Sequence, residues 1–216
     1  MTRREFCTGV AGLGASACSK PPSRPNLLLI VADDMSYPHA GAYGDKVVAT
    51  PAFDRVAEEG VLFQNSFCAS PSCTPSRTAI LSGKNIWQTG EGGVLYGSIP
   101  SGLRLFPHIL EDSGYFTGYT GKGWGPGDWK ALGLKRSPTG REFNSQLISL
   151  PGPAGIDTRD YADNFAKFLA ECPTQQPFFF WMGITEPHRV YAKGAGAADG
   201  KKLADVTLPP YYPDCE

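Results

Sequence analysis

The sequence predicts an α/β fold, a mostly parallel sheet sandwiched by helices. Three observations carry that expectation. Two short runs, Asn26 to Ala32 and Phe178 to Ile184, are continuously apolar, as strands buried on both faces of a sheet are. Between them strand-like and helix-like segments alternate. The helix-like segments stop at glycines, Gly60, Gly83 and Gly114, which favour the left-handed turn that ends a helix.

The elements follow in chain order. Asn26 to Ala32 is the first strand. Thr50 and Pro51 open a helix, Thr as N-cap and Pro in the first turn, and Gly60 closes it. Val61 to Ala69 reads as the next strand. Pro75 to Leu81 reads as a second helix. Arg104 to Ser113 is a third, with Leu105, Phe106, Ile109 and Leu110 on one face. Tyr115 to Thr120 is a short strand. Asp157 caps a helix carrying Tyr161, Phe165, Phe168 and Leu169, and Phe178 to Ile184 is the last strand. Residues 123–156 and 185–216 read as long Gly/Pro-rich loops, and no internal repeat is visible.

Composition bounds the function. The 216 residues are 41% hydrophobic and 12% aromatic, enough to bury a core, so a wholly disordered chain is excluded. Lys and Arg total 20 against 21 Asp and Glu, a net charge of -1, so no global field draws the protein to nucleic acid or an anionic membrane. No apolar run approaches the roughly 18 residues of a spanning helix. The six cysteines, at 7, 18, 68, 73, 172 and 215, form no CxxC pair. A zinc site of regular spacing and a dense disulfide scaffold are therefore not expected, although one or two bridges stay open.

The N-terminus reads as an address. Arg3-Arg4 precedes a weakly apolar, small-residue stretch from Cys7 to Ala17, the pattern of a bacterial twin-arginine export signal over residues 1–17. Ala15-Ser16-Ala17-Cys18 resembles a lipoprotein cleavage box with Cys18 as the lipid-bearing residue, although the usual Leu three residues earlier is absent. Residues 18–25 form a Pro-rich linker. The expectation is an exported bacterial protein, periplasmic or anchored to the membrane by lipid.

Ligands of parallel sheets bind at the carboxyl ends of the strands. Four segments directly follow predicted strands: Asp33-Asp34, the loop before Arg77, Gly121-Lys122, and Glu186-Pro187-His188-Arg189. Two adjacent carboxylates at a buried strand end repel each other, and a hard cation such as Ca²⁺ or Mg²⁺ relieves this. The bland alternative for Asp33-Asp34 is a solvated turn. Cys73 near a helix N-terminus faces the positive end of the helix, and Arg77, one turn on, can fork onto an oxyanion. The bland alternative for Cys73 is a small buried thiol. For Lys122 it is a surface lysine, and for His188 a loop histidine satisfied by backbone. His39 and His108 read as structural.

These residues lie in longer patterns. Cys73-Thr-Pro-Ser-Arg77, running on to Gly83, resembles the Cys-x-Pro-Ser-Arg signature of type I sulfatases, whose cysteine is oxidised after translation to formylglycine. Pro25 to Asp34 resembles that family's first strand and metal pair, Thr50 to Gly60 the following helix, and Gly114 to Lys122 its second signature. The resemblance runs from about residue 25 to the end, so residues 26–216 are expected to be the N-terminal portion of a sulfatase catalytic domain of the alkaline phosphatase-like fold.

The resemblance implies a mechanism. Formylglycine at 73, hydrated to a diol, attacks sulfur, and Ca²⁺ is held by Asp33, Asp34 and residue 73. Arg77 orders the diol and carboxylates, Lys122 neutralises charge on the diol or sulfuryl group, and His188 protonates the leaving group. A formylglycine-generating enzyme is the implied partner. Thr185 to Arg189 with the lysine-bearing loop after it (Lys193, Lys201, Lys202) resembles the heparan N-sulfatase, or sulfamidase, branch, so the expected substrate is a sulfated small molecule or glycan. Two departures stand out. Gly121-Lys122-Gly123-Trp124 has Trp where the family often has His, and the downstream Asp-Asn pair and basic residue of longer family members lie beyond Glu216, so the chain reads as a fragment. Two alternatives stand beside this reading: a phosphoryl-transfer enzyme of the same superfamily, and a non-catalytic exported lipoprotein domain.

Overall fold

A computed structural model describes residues 24–130, 133–149 and 155–213. The export signal, the cleavage box and most of the linker lie outside these residues. Among the described residues no helix is long and apolar enough to cross a membrane.

The chain forms β1 (Leu27–Ala32), α1 (Pro51–Glu59), α2 (Cys73–Ser82), α3 (Phe106–Asp112), β2 (Phe116–Gly121), β3 (Arg141–Glu142), α4 (Tyr161–Glu171), β4 (Phe178–Ile184) and the short α5 (Ala195–Ala198). The sheet order is β1-β4-β2-β3, and every pair is parallel. The expected fold class is therefore the observed one. Period-two alternation along β4 sorts its side chains to two cores. Phe179 and Trp181 point to a layer with Leu81 of α2, and with Ile99, Leu105, Tyr119 and Trp124. Phe178, Phe180 and Met182 point the other way, to Phe143 and to Phe165 and Phe168 of α4. Phe168 is fully buried, with ring centroids 4.5 Å from Phe180 and 5.0 Å from Phe116.

Several expectations are corrected. Val61 to Ala69 is not a strand: Val61, Phe63 and Phe67 are 78%, 68% and 89% exposed, because no neighbouring strand offers the segment a ladder. The two-residue β3, too short and polar to show as a strand in the sequence, supplies the fourth strand. The first strand is not buried on both faces. Leu29 and Val31 pack on the α2 layer, but Leu28 and Ile30 are 46% and 54% exposed, since α4 covers β2 and β4 and does not reach β1.

The caps also differ from expectation. Thr50 makes no side-chain cap; its hydroxyl accepts from Gly41 N and donates to Asp54. Asp160, not Asp157, caps α4, accepting from Asp163 N at 2.9 Å. The helix α2 begins at Cys73 rather than at Pro75. Cys68, Cys73 and Cys172 are free thiols.

Candidate active site

The carboxyl ends of β1, β2 and β4 and the start of α2 meet at one place, as the topology requires of a parallel sheet. Close approach of two glycines makes the meeting tight. Gly121 closes β2 with φ 70, and a Cβ there would stand 2.0 Å from the carbonyl oxygen of Gly183. A Cβ on Gly183 would stand 1.9 Å from the carbonyl oxygen of Lys122. Without side chains at these two positions, Lys122 N donates to Gly183 O at 2.8 Å and the lysine follows directly off the strand end.

Arg77 is the hub. It is 2% exposed, on the same face of α2 as Cys73 and one turn along. One terminal nitrogen donates to the carbonyl oxygens of Lys122 and Gly123, at 2.8 and 2.9 Å. The other donates to Asp33 Oδ1 at 3.0 Å. The anion it forks onto is thus the Asp33 carboxylate, together with two backbone dipoles. The Trp181 ring lies 5.7 Å from the guanidinium carbon, and its Nε1 donates to Lys122 O at 3.1 Å.

Asp33 is buried and takes a second cation, the ammonium of Lys122, in a short ion pair. Burial pushes its carboxyl up, but the hydrogen bonds and charges of Lys122 and Arg77 outweigh it, and the group sits below its ordinary value. A depressed carboxyl stabilises the fold above its unfolded value, about pH 4, and loses that contribution as pH falls toward its folded value. The gap in urea stability between the protein and Asp33→Asn is therefore expected to be widest at pH 5–7, an estimated range, and to narrow below about pH 4. A gap that does not change with pH would show that Asp33 is not held charged by these partners.

Cys73 lies between these groups. Lys122 Nζ is 3.1 Å from its sulfur, and the sulfur is 3.8 Å from Asp33 Oδ1. Asp34 takes φ 60, a left-handed turn that Asp tolerates better than most residues. The turn sends the neighbouring carboxylates apart: Asp33 goes inward, and Asp34, with a 54% exposed side chain, faces His188 Nε2 at 3.7 Å. All six predicted residues, Asp33, Asp34, Cys73, Arg77, Lys122 and His188, thus lie in one cluster.

Trp124 is not in this cluster. Its indole is 5% exposed in the α2 layer, and Nε1 donates to Thr78 Oγ1 at 2.8 Å. Thr78 in turn donates to Thr74 O at 2.8 Å, so Trp124 braces the helix that carries Cys73. His39 pairs with Asp45 at 3.0 Å, a structural role as expected.

The sequence reading passed over the groups that fix His188. Tyr161 OH donates to Glu186 Oε2 at 3.0 Å and accepts from Thr185 N at 3.0 Å. Asp157 accepts from Thr185 Oγ1 at 2.8 Å and pairs with Arg159 at 2.7 Å, while its own N–H donates to Glu186 at 2.6 Å. Burial pushes the Tyr161 phenol up, which keeps it protonated as this double role requires. The available signal was the position of Tyr161 on the helix just before β4, but its ring read as core. Tyr161→Phe is expected to cost about 1 kcal/mol, the net worth of a hydrogen bond between half-buried partners. Hydrogen exchange at the Thr185 amide should rise with it, and unchanged protection there would mean that the phenol does not hold the loop.

Two kinds of metal donor meet here. The carboxylates of Asp33 and Asp34 suit a hard cation, whereas the Cys73 sulfur does not. One ligand atom each of Asp33, Cys73 and His188 lies within 4.8 Å of the other two, so this group could hold a metal ion.

A buried carboxylate clamped by two cations, a thiol at a helix start and a histidine beside the second carboxylate thus meet at the carboxyl end of a parallel sheet. Residues 25–214 match the family model for sulfatases, and the chain belongs to that family. It is 38% identical to human N-acetylgalactosamine-6-sulfatase over 225 residues, which cover 84% of this chain and 42% of that protein. Human steryl-sulfatase is 38% identical over 114 residues, 48% of this chain and 20% of that one. The chain thus spans well under half the length of these relatives. In fold it is similar to the solved structure of BT4656 in complex with its substrate D-glucosamine-2-N,6-O-disulfate (TM-score 0.60, 24% identity, 78% of this chain and 36% of that one).

Proposed function

We propose that this chain carries the nucleophile half of a sulfatase site, acting on sulfate esters or sulfamates of a sulfated glycan after Cys73 is converted to formylglycine. The observation that carries the reading is the seat of residue 73. It starts α2, has an ammonium 3.1 Å away, and lies beside a carboxylate held by Arg77.

The chemistry follows from the neighbours. One hydroxyl of the hydrated aldehyde attacks sulfur, and the bond from sulfur to the leaving oxygen or nitrogen breaks. Lys122 offsets the charge that builds on the sulfuryl oxygens. His188 gives the leaving group its proton. The second hydroxyl then loses its proton, the bond from residue 73 to sulfate breaks, and the aldehyde reforms. Asp33, Asp34 and the oxygen of converted residue 73 would hold Ca²⁺, with Mg²⁺ as the other hard candidate; the ion supplies Lewis-acid polarisation of the sulfuryl group.

The substrate class rests on the glycan sulfatases among the similar proteins and on the lysines of residues 193–202.

The test is peptide mass spectrometry across residue 73 in a host that has the modifying enzyme, with aldehyde-reactive tagging. A tagged aldehyde at 73 is the expected result. An intact thiol in a competent host sinks the proposal.

A further inference from the structure

The donors around residue 73 do not match the metal that the converted site would take. Ca²⁺ is bound by oxygen, about 6–8 atoms of it, and thiolate sulfur is a poor ligand for it. While residue 73 is still cysteine, the cluster offers one sulfur, one imidazole nitrogen and one carboxylate oxygen. We infer that the unconverted protein binds Zn²⁺ through Cys73, His188 and Asp33, and that conversion of Cys73 removes this site.

Three details support the assignment. The spacing is already close to that of two ligands on one zinc. With Zn–S near 2.3 Å and Zn–O near 2.1 Å, tetrahedral ligands lie about 3.6 Å apart. Cys73 Sγ and Asp33 Oδ1 are 3.8 Å apart.

The histidine presents the right nitrogen. His188 Nδ1 is 2.6 Å from the carbonyl oxygen of Arg189. A carbonyl only accepts, so Nδ1 carries a proton, and Nε2, 3.7 Å from Asp34, is the nitrogen left to face an ion. A backbone carbonyl behind a ligating imidazole is the usual second partner of a zinc-bound histidine.

The charge is tolerable. Lys122 and Arg77 stand beside Asp33, and Lys122 also beside the sulfur at 3.1 Å, while Asp33 and the thiolate face the ion and Asp34 adds a third negative charge next to His188. The thiol proton leaves to solvent as the metal binds. Three protein ligands leave a fourth position for water or for Asp34. The histidine side chain is 36% exposed, so the ion has a path from solvent.

The inference rests on the sulfatase reading only for the conversion that ends it; zinc binding by the thiol form stands on geometry alone. Conversion puts oxygen where sulfur stood on the same carbon and turns a sulfur–nitrogen–oxygen site into an oxygen-rich one.

The experiment uses the 216-residue chain from a host lacking the modifying enzyme, with the intact thiol confirmed by mass. Co²⁺ serves as the spectroscopic probe, Zn²⁺ as the ligand and Ca²⁺ as the competitor. One equivalent of Co²⁺ should give a sulfur-to-metal charge-transfer band and the intense visible bands of a tetrahedral ion. Zn²⁺ should remove both stoichiometrically, and a hundredfold excess of Ca²⁺ (roughly, to exceed any weak oxygen binding) should not. Cys73→Ser should abolish the charge-transfer band and weaken Zn²⁺ roughly tenfold or more, as should His188→Ala. His188 is on an exposed loop, so that variant is expected to fold. A band that survives in Cys73→Ser, unchanged Zn²⁺ affinity in His188→Ala, or displacement by equimolar Ca²⁺ would each overturn the inference. If zinc fails to bind yet Cys73 is converted in a competent host, the sulfatase reading stands alone. If zinc binds and no conversion occurs, the metal site stands alone.

Discussion

Arg77→Ala is expected to cost about 3–5 kcal/mol of folding stability, the range for removing one partner of a buried ion pair. The guanidinium is 2% exposed and has three acceptors, Asp33 and the carbonyls of Lys122 and Gly123. Alanine removes a donor from each of the three. Asp33 would keep only Lys122, and the two carbonyls at the end of β2 would lose their common donor. Trp181 Nε1 still reaches Lys122 O, so the β2 end would loosen rather than detach. Urea denaturation measures the loss. Arg77→Lys is not a conservative replacement, since a single ammonium cannot reach acceptors spread around a planar fork. A loss under about 1 kcal/mol, the scale of a surface pair, would mean that the buried network is not structural.

Cys73→Ala is expected to lower sulfate release roughly 10⁴–10⁶-fold, the scale seen when a covalent nucleophile is deleted. Lys122→Ala should cost on the order of 10²–10³, as for loss of one charge-stabilising donor. The assay belongs on a domain extended to the length of the curated relatives, with an aryl sulfate and an N-sulfated glucosamine as substrates. On the proposed reading, Asp33, Asp34 and converted residue 73 would supply about half of the oxygens that Ca²⁺ takes, so the 216 residues alone are expected to bind it weakly. Retained turnover in Cys73→Ala would remove residue 73 from the reaction.

Three of the four strands, and the parallel sheet they make, could be read directly from the chain, because continuous apolar runs leave few alternatives. The site could be read for a different reason. Its residues sit within a few positions past a strand end or in the first turns of α2, where topology alone brings them together. What could not be read depended on neighbours. Val61 to Ala69 has the composition of a strand, but a strand is defined by the ladder beside it, and none stands there. Leu28 and Ile30 looked buried because the apolar run is continuous, whereas Leu29 and Val31 are half-buried and only the position of α4 separates the two faces. Asp157 looked like a cap, whereas its carboxylate is taken by Thr185 and Arg159, contacts almost thirty residues apart in one case (28) and two in the other. Trp124 read as a lost histidine, and the structure gives its ring a place in the core under α2.

Trp181 touches both halves of the Arg77 hub, its ring near the guanidinium and its nitrogen on the Lys122 carbonyl. The molecule therefore carries its own optical reporter. Its buried indole is quenched or released according to the charge and hydrogen bonding a few ångströms away, so occupancy of the site can be followed by light emission without attaching a label. Trp87, 78% exposed in the short turn after α2, faces water, whereas Trp124 shares the core layer with Trp181.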